Sequence, residues 1–290
     1  MSEARIRELI EAFDHFDGKY KRAEVEEAVT LREEITPHLI RILEEVAADP
    51  RKYADEEHYA NTYAVALLAH FREPAAHLPI IRAFSIGKEE NDLLWGDMVT
   101  ETLPALLFQT CNGSLEAIKA LVHERGTFDY ARGAAVEALT YAVARGVAKR
   151  DEVVDFLSSL FTGEEADEES DFWCEVACSI ADLHPEGAMD VIRGAFESGL
   201  VHDDYVGLEE IEEDLLRDKE EILARLREKV DDRVPLDVHE YISGFACFRE
   251  NKIGAPGRPA NSILKKEKIK KKANRARNKM AKKAKRKNRK

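Results

Sequence analysis

Apolar residues recur at helical spacing through the middle of the chain. Tyr59, Tyr63, Leu67 and Phe71 stand four positions apart, and spacings of three or four return in short segments throughout 51–199. Residues separated by three and four positions share one face of a helix, so the pattern is typical of short amphipathic helices with one buried side. The chain is therefore predicted to be all-α.

Glycine and proline mark the predicted ends of these helices. Many helices close with a left-handed residue, a conformation that glycine adopts without strain. Six glycines follow apolar runs and are predicted to lie at such ends: Gly87, Gly113, Gly126, Gly146, Gly163 and Gly199. Thr36 and Pro37 are predicted to be the N-cap and first residue of a helix, and Pro74 and Pro185 to begin later helices.

The predicted helices recur in pairs. The second helix of each pair is predicted to start near Pro37, Pro74, Ser114, Arg150 and Pro185. These starts lie 35 to 40 residues apart, which is the range of two-helix solenoid repeats. Two of them share a motif, because the pair Ile-Arg begins seven residues after both Pro74 and Pro185. The recurrence predicts a right-handed α-solenoid, also called an α-α superhelix.

Three segments resemble known repeat proteins. Residues 129–139, Asp-Tyr-Ala-Arg-Gly-Ala-Ala-Val-Glu-Ala-Leu, resemble the first helix of a HEAT-type repeat, with small residues that let paired helices approach closely. Residues 28–43 and 60–84 resemble an uncharacterised bacterial family of HEAT-like helical proteins, and the resemblance covers about 20–215. It implies a stack of HEAT-like helix pairs but no particular activity. Three arginines are predicted to lie along the groove between repeats: Arg82, Arg132 and Arg193.

Charge divides the chain into an acidic body and a basic tail. The 290 residues have a formal net charge of −13, yet residues 265–290 contain 16 Lys or Arg and a single acid, Glu267. That segment carries +15, so the remainder carries −28. Such asymmetry between regions points to a separate role for the tail.

The same shift in composition predicts the domain boundaries. The helical repeat domain is predicted to cover 1–250, with the clearest repeats in 36–200. A linker containing Gly and Pro follows at 251–262. The tail, 263–290, has few apolar residues to offset its ordering entropy, so it is predicted to be disordered when free, or helical.

The tail is predicted to contact a polyanion. One interpretation is the backbone of RNA or DNA, where each phosphate contact releases counterions. A second is that it folds back on the acidic body or binds an acidic protein, and a third is a merely solvated segment. Phe248 is the last aromatic residue, so stacking on bases is not expected. The predicted polyanion-binding residues are Lys265, Lys266, Lys268, Lys270, Lys271, Lys272, Arg275, Arg277, Lys279, Lys282, Lys283, Lys285, Arg286, Lys287, Arg289 and Lys290.

Three clusters offer weak candidates for chemistry. Cys174 and Cys178 share a helix face and, with His184, suggest a metal site, but small buried thiols are the favoured interpretation. The run 202–204, His-Asp-Asp, resembles the His-Asp pair of metal-dependent phosphohydrolases, although a polar helix cap accounts for it better. The acidic run 163–171 suggests a divalent cation, and a solvated loop between repeats is favoured instead.

The sequence lacks the common catalytic motifs. It contains no phosphate-binding glycine loop, His-Glu-x-x-His pair, nucleophile elbow or Cys-x-x-Cys motif. With no long apolar run, no apolar leader and four cysteines, the chain is predicted to be cytoplasmic, without metal, cofactor or membrane contact. The favoured hypothesis is a non-catalytic scaffold that grips an unknown protein on its repeat face while the tail contacts RNA. A metal-dependent hydrolase or other enzyme is the alternative.

Overall fold

The computed structural model describes residues 3–54, 58–167, 170–234 and 237–243. These ranges contain sixteen α-helices, two short 3-10 helices (Pro50–Tyr53 and Pro74–Ala76) and no β-strand. The all-α prediction is confirmed. The α-helices are α1 Glu3–Asp14, α2 Arg22–Thr30, α3 Arg32–Ala48, α4 Ala60–His70, α5 His77–Phe84, α6 Lys88–Leu94, α7 Met98–Glu101, α8 Leu103–Thr110, α9 Glu116–His123, α10 Asp129–Ala144, α11 Arg150–Ser158, α12 Phe172–Asp182, α13 Met189–Ser198, α14 Leu208–Leu216, α15 Lys219–Arg233 and α16 Val238–Ser243.

Four helices form a central row, in which α4 packs against α8, α8 against α10 and α10 against α12. We call these four the inner helices. The helices α3, α5, α9 and α11 pack beside them. The helices that follow each inner helix begin at His77, Glu116, Arg150 and Met189, at intervals of 34 to 39 residues. The start at Arg150 coincides with the predicted one.

Two of the inner helices, α4 and α10, are covered on almost all sides. In α4, every residue from Ala60 to Ala69 is buried, and in α10 the runs 131–136 and 138–142 are buried. A helix that is buried all round lies in the interior rather than at a surface. Gly133 brings α10 close to α12, because a Cβ at this position would lie 3.0 Å from Cγ of Glu175. Gly133 therefore permits the close spacing of α10 and α12.

The prediction for Thr36 and Pro37 is wrong. Helix α3 begins at Arg32 and contains Pro37 in its interior, while the Thr36 hydroxyl donates to the carbonyl oxygen of Arg32 at 2.7 Å instead of capping a helix. The buried stripe of α3 already includes Ile35, which draws the helix start upstream. The lost backbone hydrogen bond at the proline is tolerated because the rest of that stripe is packed.

The other helix-end predictions are confirmed in part. Pro74 begins a 3-10 helix that leads into α5, whereas Pro185 lies in a turn ahead of α13. Positive φ angles are found, as expected, at Gly113, Gly146, Gly163 and Gly199. The other two predicted C-terminal glycines do not have them: Gly87 is instead the N-cap residue of α6, and Gly126 also lacks a positive φ.

Two glycines of α13 are expected to respond oppositely to alanine. Gly199, the C-cap residue, has a φ of 82°, and an added Cβ would meet no atom within 4 Å. Gly199→Ala is therefore expected to lower the free energy of unfolding by about 1 kcal/mol through backbone strain alone. Gly194 lies inside the helix in open space, so Gly194→Ala is expected to raise it by about 0.5–1 kcal/mol. Urea unfolding measures both signs, and destabilisation in both variants would contradict the assignment.

Among the C-terminal helices, α14 packs on α12 and α13. Helix α15 packs on α10 and α12, and α16 packs on α4. The chain divides into the units Met1–Phe248 and Arg249–Lys290, and the second lies wholly outside the described residues. In the described ranges, no helix is long and apolar enough to cross a membrane.

Candidate functional site

Helices α15 and α16 lie across the inner helices, and we call these two helices the strap. In α15, the buried residues Ile222, Leu226 and Val230 stand at positions i, i+4 and i+8. In α16, Val238 and Ile242 are buried. An apolar stripe of this spacing is the surface that an amphipathic helix presents to a groove. The strap covers the side of α4, α10 and α12 that we call the inner face. It lies on this face as a bound amphipathic helix would.

Lys229 provides the polar anchor of α15. Its ammonium lies 3.0 Å from a carboxylate oxygen of Glu137 on α10 and 2.9 Å from one of Asp182 on α12. Burial lowers the pKa of Lys229, but the charges of Asp182 and Glu137 outweigh that effect and hold the pKa above its ordinary value. The lysine thus bridges two inner helices in its charged form.

Further polar contacts extend along α15. Arg145, just after α10, pairs with Asp231 at 2.6 Å. Arg233 donates to the carbonyl oxygen of Glu101 at 3.2 Å. These contacts lie at the exposed edge of the helix, where each ion pair contributes little. The apolar stripe therefore contributes most to the position of α15, and Lys229 adds two ion pairs to the inner helices.

Helix α16 carries the strap to the N-terminal helices. The Tyr20 hydroxyl and Nδ1 of His239 are hydrogen-bonded at 2.6 Å. The other ring nitrogen of His239 lies 3.7 Å from a carboxylate oxygen of Glu26 on α2. Tyr241 lies beside Thr102, next to the start of α8. The strap thus reaches from α12 at one end of the inner row to α2 and α4 at the other.

The inner face beneath α15 is rich in carboxylates. Glu175 accepts a hydrogen bond from the Tyr205 hydroxyl. Burial raises the pKa of Glu175, the hydrogen bond from Tyr205 opposes that rise, and the charge of Glu137 adds to it. On the same helix, burial together with the charges of Glu175 and Asp182 raises the pKa of Cys178 to about 12. We call Glu137, Glu175 and Asp182 the acidic triad.

The region that matches known proteins includes the strap. Residues 4–249 match a family described as "Protein of unknown function (DUF1186)". The chain belongs to this family. The predicted resemblance to an uncharacterised bacterial family is confirmed, and the match ends before the basic tail.

Two bacterial relatives have comparable length. An uncharacterized protein of Chlamydia trachomatis serovar D is 28% identical over 208 residues, which cover 71% of this chain and 82% of that protein. An uncharacterized protein of Chlamydia muridarum is also 28% identical over 208 residues, covering 71% of this chain and 83% of that protein. No solved structure shows a significant match.

Arg132, predicted to line a groove, lies inside the body of this DUF1186 protein. Its guanidinium donates to the carbonyl oxygens of Val122 at 3.0 Å and Glu165 at 2.8 Å, and to the carboxylate of Asp129 at 3.0 Å. It also lies 4.0 Å from the ring centroid of Phe172. Burial lowers the pKa of Arg132, opposed chiefly by the charge of Asp129. Since the side chain is 1% exposed, it joins helices and is unavailable to a partner.

Arg82 and Arg193, the other two arginines predicted to lie along the groove between repeats, are exposed. Arg82 lies on α5, and Arg193 lies on α13. Arg193 donates to Glu212 of α14 at 2.9 Å and lies 3.5 Å from Asp190. It therefore links α13 to α14. The structure does not bring the three arginines together.

The three weak candidates for chemistry lie on different segments: α12 and the turn after it, the turn ahead of α14, and the loop between α11 and α12. Cys174 is fully buried, Cys178 is partly buried, and His184 lies in the turn after α12 with a φ of 66°. Among the described residues, no three His, Cys, Asp or Glu side chains converge on a position that suits a metal ion. The run 202–204 lies in a turn ahead of α14, whose N-cap is Gly207.

The acidic run 163–171 lies in the segment between α11 and α12, and its side chains form hydrogen bonds with residues outside the run. Glu165 accepts hydrogen bonds from the Thr162 hydroxyl at 2.6 Å and from Nε1 of Trp173 at 3.2 Å. The Ser170 hydroxyl donates to Asp129 at 2.5 Å. Residues 168–169 and all predicted polyanion-binding residues, 265–290, lie outside the described residues.

Sequence reasoning missed the acidic triad. Glu175, Cys178 and Asp182 stand at i, i+3 and i+7 on the largely apolar α12. Lys229 stands beside the apolar stripe of α15. Each pattern is readable locally, but their pairing across α10, α12 and α15 depends on long-range packing.

Proposed function

We propose that this protein is a cytoplasmic helical-repeat scaffold whose basic tail binds the phosphate backbone of RNA. Its helix pairs form a right-handed, HEAT-like solenoid that displays a protein-binding face. The observation that carries the proposal is the separation of charge, with +15 in residues 265–290 and −28 in the rest of the chain. Each phosphate that a Lys or Arg neutralises releases a condensed counterion, which favours binding.

The composition of the tail suits contact that is independent of base sequence. Sixteen cations accompany one acid, Glu267, so the segment cannot neutralise itself. Arg and Lys both bind phosphate, and Arg does so with two parallel hydrogen bonds. The last aromatic residue is Phe248, so the tail has no ring on which a base can stack. Affinity should therefore depend on salt and RNA length more than on RNA sequence.

Deleting 265–290 is expected to abolish RNA binding. With roughly six phosphate contacts to a single strand, full-length protein should lose about 10²–10³-fold in affinity between about 50 mM and about 200 mM salt. Fluorescence anisotropy with a labelled oligouridylate measures both chains at both salt concentrations. The truncated chain should keep its helical circular dichroism and melting temperature, because the deleted residues lie outside the unit Met1–Phe248.

Two outcomes would contradict the proposal. If neither chain binds RNA at the lower salt concentration, the tail does not act on nucleic acid. If both chains bind equally, the acidic body rather than the tail holds the RNA. A labelled polyglutamate of the same length serves as control, because capture of this peptide in preference to RNA would identify an acidic protein as the tail's target.

A further inference from the structure

Helix α15 lies on the inner face, but its N-cap and several of its ion pairs are formed within the helix itself. Asp218 caps it, accepting backbone hydrogen bonds from Glu220 at 2.9 Å and Glu221 at 3.2 Å. Glu221 pairs with Arg225, and Glu220 lies 2.7 Å from Arg227, both within the same helix. A helix that contains its own cap and ion pairs retains them when it leaves a surface.

The connection to the body is short and extended. Arg217 has φ −79° and ψ 162°, and Asp218 has φ −66° and ψ 128°. Arg217, the extended residue between α14 and the N-cap Asp218, provides backbone dihedrals that can rotate without disrupting either helix. Release of α15 requires the loss of its contacts with α10 and α12, of the ion pair between Lys219 and Glu186, and of the hydrogen bond from Arg233 to the carbonyl oxygen of Glu101.

A single cation of α15, Lys229, faces the three carboxylates of the acidic triad. Lys229 meets two members of the acidic triad, Glu137 and Asp182. Glu228 and Asp232, one residue before and three residues after Lys229 in α15, are exposed acids. A helix with the same apolar stripe and more cations would complement the triad better, because unlike charges attract most strongly where solvent is partly excluded.

We propose that the inner face of α10 and α12 is a docking surface for an amphipathic helix of a partner protein, and that α15 is its built-in competitor. The partner helix carries apolar residues at i, i+4 and i+8 and a Lys or Arg at i+7, the positions of Ile222, Leu226, Val230 and Lys229 in α15. It is more basic than α15, which matches the acidic triad. This inference rests on the scaffold function proposed above and names the face and the kind of partner.

The test uses the full chain with Lys229→Glu, which places a carboxylate against Glu137 and Asp182. Arg227→Glu is the matched control, because it makes the same charge change on the same helix. The Arg227 side chain is 43% exposed and the Lys229 side chain is 40% exposed. Arg227 pairs with Glu220 of its own helix rather than with the body. Hydrogen exchange should show faster exchange of α15 amides in Lys229→Glu than in the control.

The probe is a labelled synthetic peptide with the sequence of residues 218–234. It should bind Lys229→Glu about tenfold more tightly than it binds wild type or Arg227→Glu, which corresponds to 1.4 kcal/mol of released competition. A peptide with extra lysines in place of Glu228 and Asp232 should bind more tightly still. A peptide carrying Lys229→Glu should bind weakly to every chain.

Several results would overturn the proposal. Peptide binding that is no tighter to Lys229→Glu than to wild type would show that the released face accepts no helix, and unchanged α15 exchange would show that Lys229 does not hold the strap.

If Lys229→Glu unfolds the body, Lys229→Met gives the same readouts without added charge. A dimer of Lys229→Glu by light scattering would identify a second copy as the occupant instead. RNA binding, measured on the same variants, should stay unchanged, so a failure of the tail proposal is separately visible.

Discussion

Replacing Arg132 with Met is expected to lower the free energy of unfolding by about 3–5 kcal/mol. The guanidinium donates to the carbonyl oxygens of Val122 and Glu165 and to Asp129, and it lies against the Phe172 ring. Methionine keeps much of the aliphatic volume but donates no hydrogen bond. Buried carbonyl oxygens that lose a donor cost about 1–3 kcal/mol each.

Urea unfolding followed by circular dichroism measures the loss for Arg132→Met. Arg125→Met is the matched control, because Arg125 is exposed and lies on the loop before α10, and the expected change is within about 0.5 kcal/mol. Arg132→Lys should also be destabilised, since a single ammonium cannot reproduce the planar fork of donors. A loss below about 1 kcal/mol for Arg132→Met would show that its hydrogen bonds are replaced by solvent.

Trp173→Ala is the second substitution expected to have a large effect, with a loss of about 3–5 kcal/mol. The Trp173 side chain is 1% exposed, and its Nε1 donates to the carbonyl oxygen of Leu160 at 2.9 Å. The same nitrogen lies 3.2 Å from Glu165. The substitution therefore opens a cavity and removes a donor that ties α12 to the loop before it.

Trp173→Phe separates the two contributions. Phenylalanine fills most of the cavity but cannot donate, so its expected loss is about 1–3 kcal/mol. Fluorescence of Trp95 reports unfolding in both variants, with circular dichroism as a second probe. Because Arg132 and Trp173 both hold Glu165, the double variant Arg132→Met/Trp173→Phe should lose less than the sum of the singles by at least about 0.5 kcal/mol. Strict additivity would show that the loop does not couple them.

Local patterning accounts for most of the helices. The four-residue spacing of Tyr63 and Leu67 identified α4, and Arg150 was placed at the first residue of α11. Pro37 was misplaced because a proline near the start of a helix has the same sequence signature whether it is the first residue or the sixth. The deciding residue is Ile35, whose burial against other segments is not visible in the local sequence.

The packing of α15 on the inner face could not be predicted from local sequence patterns. The stripe Ile222, Leu226 and Val230 predicts a helix but not the surface that it covers. Lys229 meets Asp182 at a sequence separation of 47 residues, and no periodicity encodes that pairing. Arg132 was predicted to line the groove between repeats, but it is buried and donates to the Glu165 carbonyl oxygen 33 residues later, a contact that local patterning does not encode.

The contact between Tyr20 and His239 joins residues that are 219 positions apart. In a row of helices where each unit touches only its neighbours, ends fray and unfolding spreads unit by unit. The strap instead ties the first helices to the last, so the loss of either end weakens both. The row therefore gains the cooperativity of an ordinary globular domain, and its folding must wait for the closure of a loop nearly as long as the body itself.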